Sequence, residues 1–145
     1  MRKNILIIFI TLLIVIVVSI SVLFYSILFK NIYNMDERIF DISIITDVAI
    51  NDDGETFVTN NKDYIEELLS VIKGSNRTTR KQSVSDSPNG EKIVCIDINY
   101  INNSYKRIYA YNYENDYYLE LPYEGVYKLS ENEYNLIKNF KNNYI

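Results

Sequence analysis

Polarity along the chain falls into two regimes. From Asn4 to Phe29, NILIIFITLLIVIVVSISVLFYSILF, no charged residue occurs, and Thr11, Ser19, Ser21, Ser26 and Tyr25 are the few breaks in an otherwise apolar run. A helix of this length rises roughly 35–40 Å, more than the ~30 Å hydrocarbon core of a bilayer. A buried helix of a soluble domain is rarely apolar on every side for so long. A cleaved signal peptide has a shorter apolar region, about 7–15 residues, that ends in small residues. No A-x-A follows here, and Ser19-Ile20-Ser21 lies inside the run. No cysteine directly follows the block to carry a lipid. The pattern predicts an uncleaved signal anchor in residues 1–30, facing the lipid bilayer through residues 5–29. Arg2 and Lys3 hold the N-terminus in the cytoplasm, although Lys30 reduces the contrast, and Tyr25 and Tyr33 fall near the outer interface. The expectation is a single-pass protein of the cell membrane with its C-terminal domain outside.

Residues 31–38 read as a short polar tether and residues 39–145 as one domain. IFDISIITDVAIN is rich in β-branched residues and predicts a strand; Asp53-Gly54 then predicts a hairpin turn into ETFVT. In NNKDYIEELLSVIKG, Ile65, Leu68, Leu69 and Ile72 recur at helical spacing. Asn60 or Asn61 caps this helix, and Gly74 suits its C-terminal side. TTRKQSV predicts another strand and SDSPNG a turn. In EKIVCIDINYI, Val94, Ile96, Ile98 and Tyr100 share one face. YKRIYAYNY alternates Tyr105, Arg107, Tyr109, Tyr111 and Tyr113 with Lys106, Ile108, Ala110 and Asn112. DYYLEL and VYKL flank PYEG as a hairpin, with Gly125 supplying a positive φ. Pairing Leu121 with Val126 places Tyr118, Glu120 and Tyr127 on one face. Ser130 and Glu133 form a capping box for a last helix, with Leu136, Ile137, Phe140 and Tyr144 on one side. The sum is an α+β fold: an N-terminal transmembrane helix, then an antiparallel sheet of five to seven strands with two helices.

Charge changes the picture outside the membrane. Residues beyond the first thirty carry all 19 acids and 12 of the 15 bases, a formal net charge of −7. An acidic domain has no footprint for phosphate backbones, so nucleic acid is not an expected partner. The chain has no histidine, which removes the usual general base and the commonest metal ligand. Cys95 is the sole cysteine, so no intramolecular disulfide can form, and its place between Val94 and Ile96 suits a buried inert thiol. NDDGE fails the calcium-loop spacing: with Gly54 sixth, the first ligand would be Ala49 and the twelfth Asn60. Neither a metal nor a cofactor is expected, and no catalytic residue stands out.

The segments KQSVSDSP (Lys81 to Pro88), YAY (Tyr109 to Tyr111) and YYLELPYEGVYKLSENEY (Tyr117 to Tyr134) resemble a bacterial family of domains of unknown function. The resemblance covers roughly Ile44 to Tyr134. It implies a small extracytoplasmic domain of low-GC Gram-positive bacteria, anchored or secreted, in some cases joined to larger membrane sensors. Leu121 stands where the pattern expects a longer polar residue. The family carries no established activity, so the resemblance assigns no site residue.

The favoured expectation is a non-enzymatic domain for recognition, sensing or regulation at the cell envelope, with an envelope protein, peptide or glycan as partner. Its expected contact residues are Tyr118, Glu120, Tyr123 and Tyr127, because a carboxylate among phenols can exchange hydrogen bonds with a ligand. The alternative is an envelope hydrolase using a carboxylate pair, such as Asp52 with Asp53 or Glu114 with Asp116. If the hairpin is only scaffold, Glu120 ties it down by pairing with Arg77, Arg80 or Lys81.

Overall fold

The computed structural model describes residues 2–32, 35–75 and 77–143. Two compact units divide the chain, Met1–Tyr33 and Asn34–Ile145. The first is one helix, α1 (Arg2–Ile32). Its described side chains run from Ile10 to Ser26, a length of roughly 25 Å at 1.5 Å per residue. Among the described residues no helix is long and apolar enough to cross a membrane. The lipid-facing stretch expected at residues 5–29 extends at both ends onto side chains outside those described.

The second unit is α+β. Its strands are β1 (Ile45–Asp52), β2 (Glu55–Thr59), β3 (Arg77–Lys81), β4 (Glu91–Tyr100), β5 (Tyr105–Tyr113), β6 (Asp116–Leu121) and β7 (Gly125–Leu129). All pairings are antiparallel, and the order across the sheet is β2-β1-β4-β5-β6-β7-β3. Helix α2 (Lys62–Gly74) carries the chain from the β2 edge to the β3 edge, and α3 (Glu131–Lys138) follows β7. The period-two alternation decides which side faces the helices. Val48 and Ile50, Val94, Ile96 and Ile98, Ile108 and Ala110, Leu119, Tyr127 and Leu129 join Ile65, Leu68, Leu69 and Ile72 of α2 and Tyr134 and Ile137 of α3 in one core. Each fully buried aliphatic chain contributes roughly 1.5–3 kcal/mol.

Local signals fix the helix starts. The Asn61 side chain accepts from the N–H groups of Asp63 and Tyr64, and Ser130 and Glu133 close the capping box in both directions. At the β1–β2 hairpin both Asp53 (φ 51°) and Gly54 (φ 81°) take positive φ, as the turn requires.

Several expectations fail for identifiable reasons. Of the residues expected as a tether, 31–38, α1 takes in Asn31 and Ile32, and Met35 is buried in the core of the second unit; residues 33 and 34 lie outside those described. The strand expected from Ile39 starts only at Ile45. Before it, Glu37–Phe40 and Ile42–Ile44 form 3-10 turns in which Asp36 accepts from the Arg38 N–H and Asp41 from the Ser43 N–H. These side chains offer the backbone a partner that an extended strand would forgo. Gly74 is the last helical residue, and Ser75 ends the helix instead, its hydroxyl donating to the Val71 carbonyl at 2.6 Å. Leu136 is exposed, because α3 packs on a narrower stripe of Tyr134 and Ile137. Tyr144 lies outside the described residues.

Candidate functional site

The β6–β7 hairpin differs from expectation by one residue of register. Leu121 pairs with Gly125, not Val126, so the loop is Pro122-Tyr123-Glu124. The positive φ falls on Tyr123 (φ 63°) and not on Gly125, and the Glu124 N–H bonds back to the Leu121 carbonyl at 3.0 Å. A one-residue slip moves every following side chain to the opposite face. Tyr127 therefore leaves the expected group and points into the core opposite Leu119, 1% exposed. Of the four expected contact residues, Tyr118 and Glu120 stay on the outer face, Tyr123 stands at the hairpin tip and Tyr127 is core.

Glu120 is almost fully buried, 6% exposed, although it lies on the face away from the helices. The cover is the segment 82–90, which leaves β3 and crosses the outer face on its way to β4. Ser83 donates to Glu120 Oε1 at 2.6 Å, and the Tyr111 hydroxyl donates to Oε2 at 2.9 Å. Both carboxylate oxygens thus have partners. Burial, and then the hydrogen bond and charge of Glu120, push the Tyr111 phenol far above its ordinary pKa. Tyr111 stacks on Tyr118 with ring centroids 5.6 Å apart. A Cβ added to Gly90 would come 2.3 Å from Tyr111 Cδ2, so only glycine lets the segment lie this close. At the tip the exposed Tyr123 hydroxyl donates to Asp86 Oδ1 at 2.8 Å, a second tie to the same segment. Among the described side chains the partners of Glu120 are the hydroxyls of Ser83 and Tyr111; of the partners expected from the sequence, Lys81 is exposed, and the side chains of Arg77 and Arg80 lie outside those described. Sequence reasoning misses Ser83 and Tyr111 as members of this cluster. The motif KQSVSDSP is visible, but nothing in one chain shows that its first serine meets a glutamate 37 residues later.

The two carboxylate pairs weighed from the sequence lie in different surroundings. Asp52 is buried and Asp53 exposed. Glu114 and Asp116 are exposed, and Asp116 is taken by Lys128 at 2.8 Å, which holds its pKa below the ordinary range. No group of three or more acids or cysteines fit to hold a metal occurs among the described residues. Cys95 is half-buried beside Asp97, and burial raises its thiol pKa, with the Asp97 charge adding to the effect.

A cavity of about 490 Å³ opens at the end of the sheet that carries the β4–β5 turn. Ile39 and Ile44, Tyr100 and Ile101 give it apolar walls; Asp36, Arg38 and Lys106 stand among them, with Tyr105 on the rim. The turn holds itself together: the Ser104 N–H and hydroxyl both donate to Asn102 Oδ1, and the Ile101 N–H bonds to the Ile44 carbonyl. Lys106 pairs with Glu124 of the β6–β7 loop, which links the cavity to the hairpin tip. Desolvation lowers the Lys106 pKa, opposed by Asp36 and assisted by Arg38. Val84, Ile101, Tyr105 and Tyr123 are exposed large apolar side chains at or near this end of the sheet.

Known proteins give the chain a place without giving it an activity. The NMR structure of a protein from Ruminococcus gnavus is similar at a TM-score of 0.55 and 25% identity, covering 64% of this chain and 93% of that one. No curated protein matches the chain. Residues 33–128 match the family DUF5301, described as "Domain of unknown function (DUF5300)", and this span takes in β1 to β6, all but the last residue of β7, the buried Glu120 cluster and the cavity. That match covers well over half of the sequence, and the chain belongs to this family.

Proposed function

We propose that this protein is a membrane-anchored, non-catalytic recognition domain of the cell envelope. In this reading α1 lies in the bilayer through residues 5–29 with its N-terminus in the cytoplasm. The α+β unit then acts outside the cell and takes a protein, peptide or glycan partner, or a smaller ligand, at the sheet end built from the β4–β5 turn and the β6–β7 tip.

The observation that carries the proposal is the exposure of α1. Its large apolar side chains from Ile10 to Tyr25 are each 47–65% exposed. Water is a poor solvent for such a surface and lipid a good one. The serines support the same view. Ser19 donates to the Val15 carbonyl at 2.8 Å, Ser21 to that of Val17 at 2.9 Å and Ser26 to that of Leu23 at 2.8 Å. Hydroxyls satisfied within their own helix can enter hydrocarbon at low cost. The non-catalytic part is supported by Glu120, whose two oxygens are already committed to Ser83 and Tyr111.

Two measurements test the proposal. Carbonate washing at high pH should leave the full-length chain with the membrane pellet. In a Cys95→Ser background, Val84→Cys should react with a membrane-impermeant maleimide on intact cells, since Val84 is 82% exposed. Release into the soluble fraction, or labelling only after lysis, would overturn the anchor or its orientation.

A further inference from the structure

We propose that the cavity between the Glu37–Phe40 turn and the β4–β5 turn binds a small amphiphile with an anionic head, carboxylate or phosphate, on a short apolar tail. The proposal rests on the recognition reading above and names the ligand class of that site. Three features of the cavity carry it.

Its volume, about 490 Å³, falls within the usual range for small-molecule sites. Its apolar walls, Ile39, Ile44, Tyr100 and Ile101, suit a hydrocarbon or aromatic tail. Its charged lining is two cations, Arg38 and Lys106, and one acid, Asp36. Arg38 and Lys106 bring two cations to one opening, in a region of the chain whose formal net charge is −7. Lys106 feels both charged neighbours in the lining, Asp36 favouring its charge and Arg38 opposing it to a smaller extent.

The chain itself shows what these cations take. Asp36 accepts from Arg38 Nε and Nη2 at 2.9 and 2.6 Å, and Glu124 pairs with Lys106. Both internal acids are partly exposed to water, so an incoming anion can exchange with them at little cost. Arg38 offers a planar fork suited to carboxylate or phosphate, and Lys106 offers a point charge beside the apolar wall.

The test uses the full-length chain in phosphatidylcholine nanodiscs, with ring-labelled tyrosine observed by NMR during titration with hexanoate or hexanamide. Hexanoate should shift the Tyr100 and Tyr105 resonances at concentrations at least about tenfold below hexanamide, a difference equivalent to about 1.4 kcal/mol. Lys106→Gln should abolish that preference. Asp36→Asn keeps the turn's acceptor but removes a competing charge, so it should tighten hexanoate binding severalfold; a merely structural Asp36 would give the opposite sign. Nanodiscs containing phosphatidic acid separate two sources of the head. If they shift the same resonances and block hexanoate, the ligand is a lipid headgroup; if hexanoate still binds as before, it is a free amphiphile. Equal affinity for hexanoate and hexanamide would overturn the anionic head while leaving recognition at this end. Unshifted Tyr100 and Tyr105 with every probe and both lipids would overturn the amphiphile site, whereas the recognition reading is tested separately by the membrane and labelling measurements above.

Discussion

Glu120→Gln tests the buried cluster most directly. The carboxylate accepts from Ser83 at 2.6 Å and from Tyr111 at 2.9 Å, away from solvent. A hydrogen bond to a charged group contributes about 1.5–3 kcal/mol and a neutral one about 0.5–1.5. The amide keeps one carbonyl for one hydroxyl but sets an NH2 group against the other. Two hydrogen bonds to a charged group become neutral ones, one of them reversed so that the hydroxyl accepts from the amide, and the expected loss is about 2 kcal/mol. For a domain of this size that lowers the melting temperature by about 8 °C. Ser83→Ala should cost about 1–2 kcal/mol alone and much less in the Glu120→Gln background, because neighbours in one network are not additive. Urea denaturation followed by near-ultraviolet circular dichroism of the tyrosines reads the α+β unit without the helical signal of α1. A further variant guards the logic. Replacing all three partners by apolar residues (Ser83→Ala, Tyr111→Phe and Glu120→Met) removes the buried charge together with its donors and should cost less than Glu120→Ala, which strands two buried hydroxyls. A wild-type urea midpoint for Glu120→Gln, with additive behaviour in the double variant, would refute the claim that this cluster holds the 82–90 segment on the sheet.

Other outcomes follow from burial and from the direction of the pKa shifts. Leu68→Ala, at a fully buried position of α2, should cost about 2–5 kcal/mol in the same urea assay. Cys95 should alkylate with iodoacetamide at pH 7.5 more slowly than in the urea-unfolded chain, since burial and Asp97 raise its pKa and thin out the thiolate. Tyr134 is pushed up to about 12 by burial and by the neighbouring Asp52 carboxylate, against an ordinary value near 10. Its folded form therefore holds the proton longer than the unfolded chain. The corresponding stability is intact below about pH 10 and lost between about 10 and 12, by at most roughly 2–3 kcal/mol. Ultraviolet titration of tyrosinate alongside pH-dependent unfolding reads both, and Asp52→Asn should move the Tyr134 step downward.

The parts of the fold that are legible in the sequence are those set by local rules. The helix α2 announces itself through Ile65, Leu68, Leu69 and Ile72 and its Asn61 cap, and the β1–β2 turn through Asp53-Gly54. Period-two alternation groups Val94, Ile96 and Ile98 on one face of β4 and sets Ile108 and Ala110 apart from the tyrosines of β5, and all five prove fully buried, although alternation alone does not say which face turns inward. What fails depends on competition or on distance. The start of β1 is lost to two aspartates that cap 3-10 turns, a local rival with similar energy. The β6–β7 register hangs on whether Tyr123 or Gly125 takes the positive φ; tyrosine does, against its intrinsic preference, and Tyr127 gains full burial by that choice. The placement of β3 beside β7, and of Ser83 over Glu120, depends on the route of the chain across the sheet, which no periodicity encodes. The cavity is illegible for the same reason: Asp36 and Arg38 meet Lys106 only after seven strands are ordered.

The tyrosines show why residue type alone points to the wrong surface. Ten of the fourteen lie between Tyr100 and Tyr134, which suggests one aromatic binding face. Tyrosine is instead used wherever a large ring must be buried with its hydroxyl still partnered. Tyr134 packs into the core and donates to the Lys92 carbonyl at 2.7 Å; Tyr111 lies beneath the 82–90 segment and donates to Glu120. Tyr127 fills the core opposite Leu119. These three are committed to the interior and can offer a ligand nothing. Tyr105 and Tyr123 are exposed and Tyr100 is half-buried at the cavity wall, and these three gather at one end of the sheet, joined through the Lys106–Glu124 pair. Of the four contact residues expected from the sequence, Tyr123 is thus the one that belongs with the surface proposed for recognition. Its hydroxyl is already held by Asp86, so its ring and not its hydroxyl is the part available to a partner. Tyr123→Phe should then leave binding at this end unchanged, whereas Tyr123→Ala should weaken it.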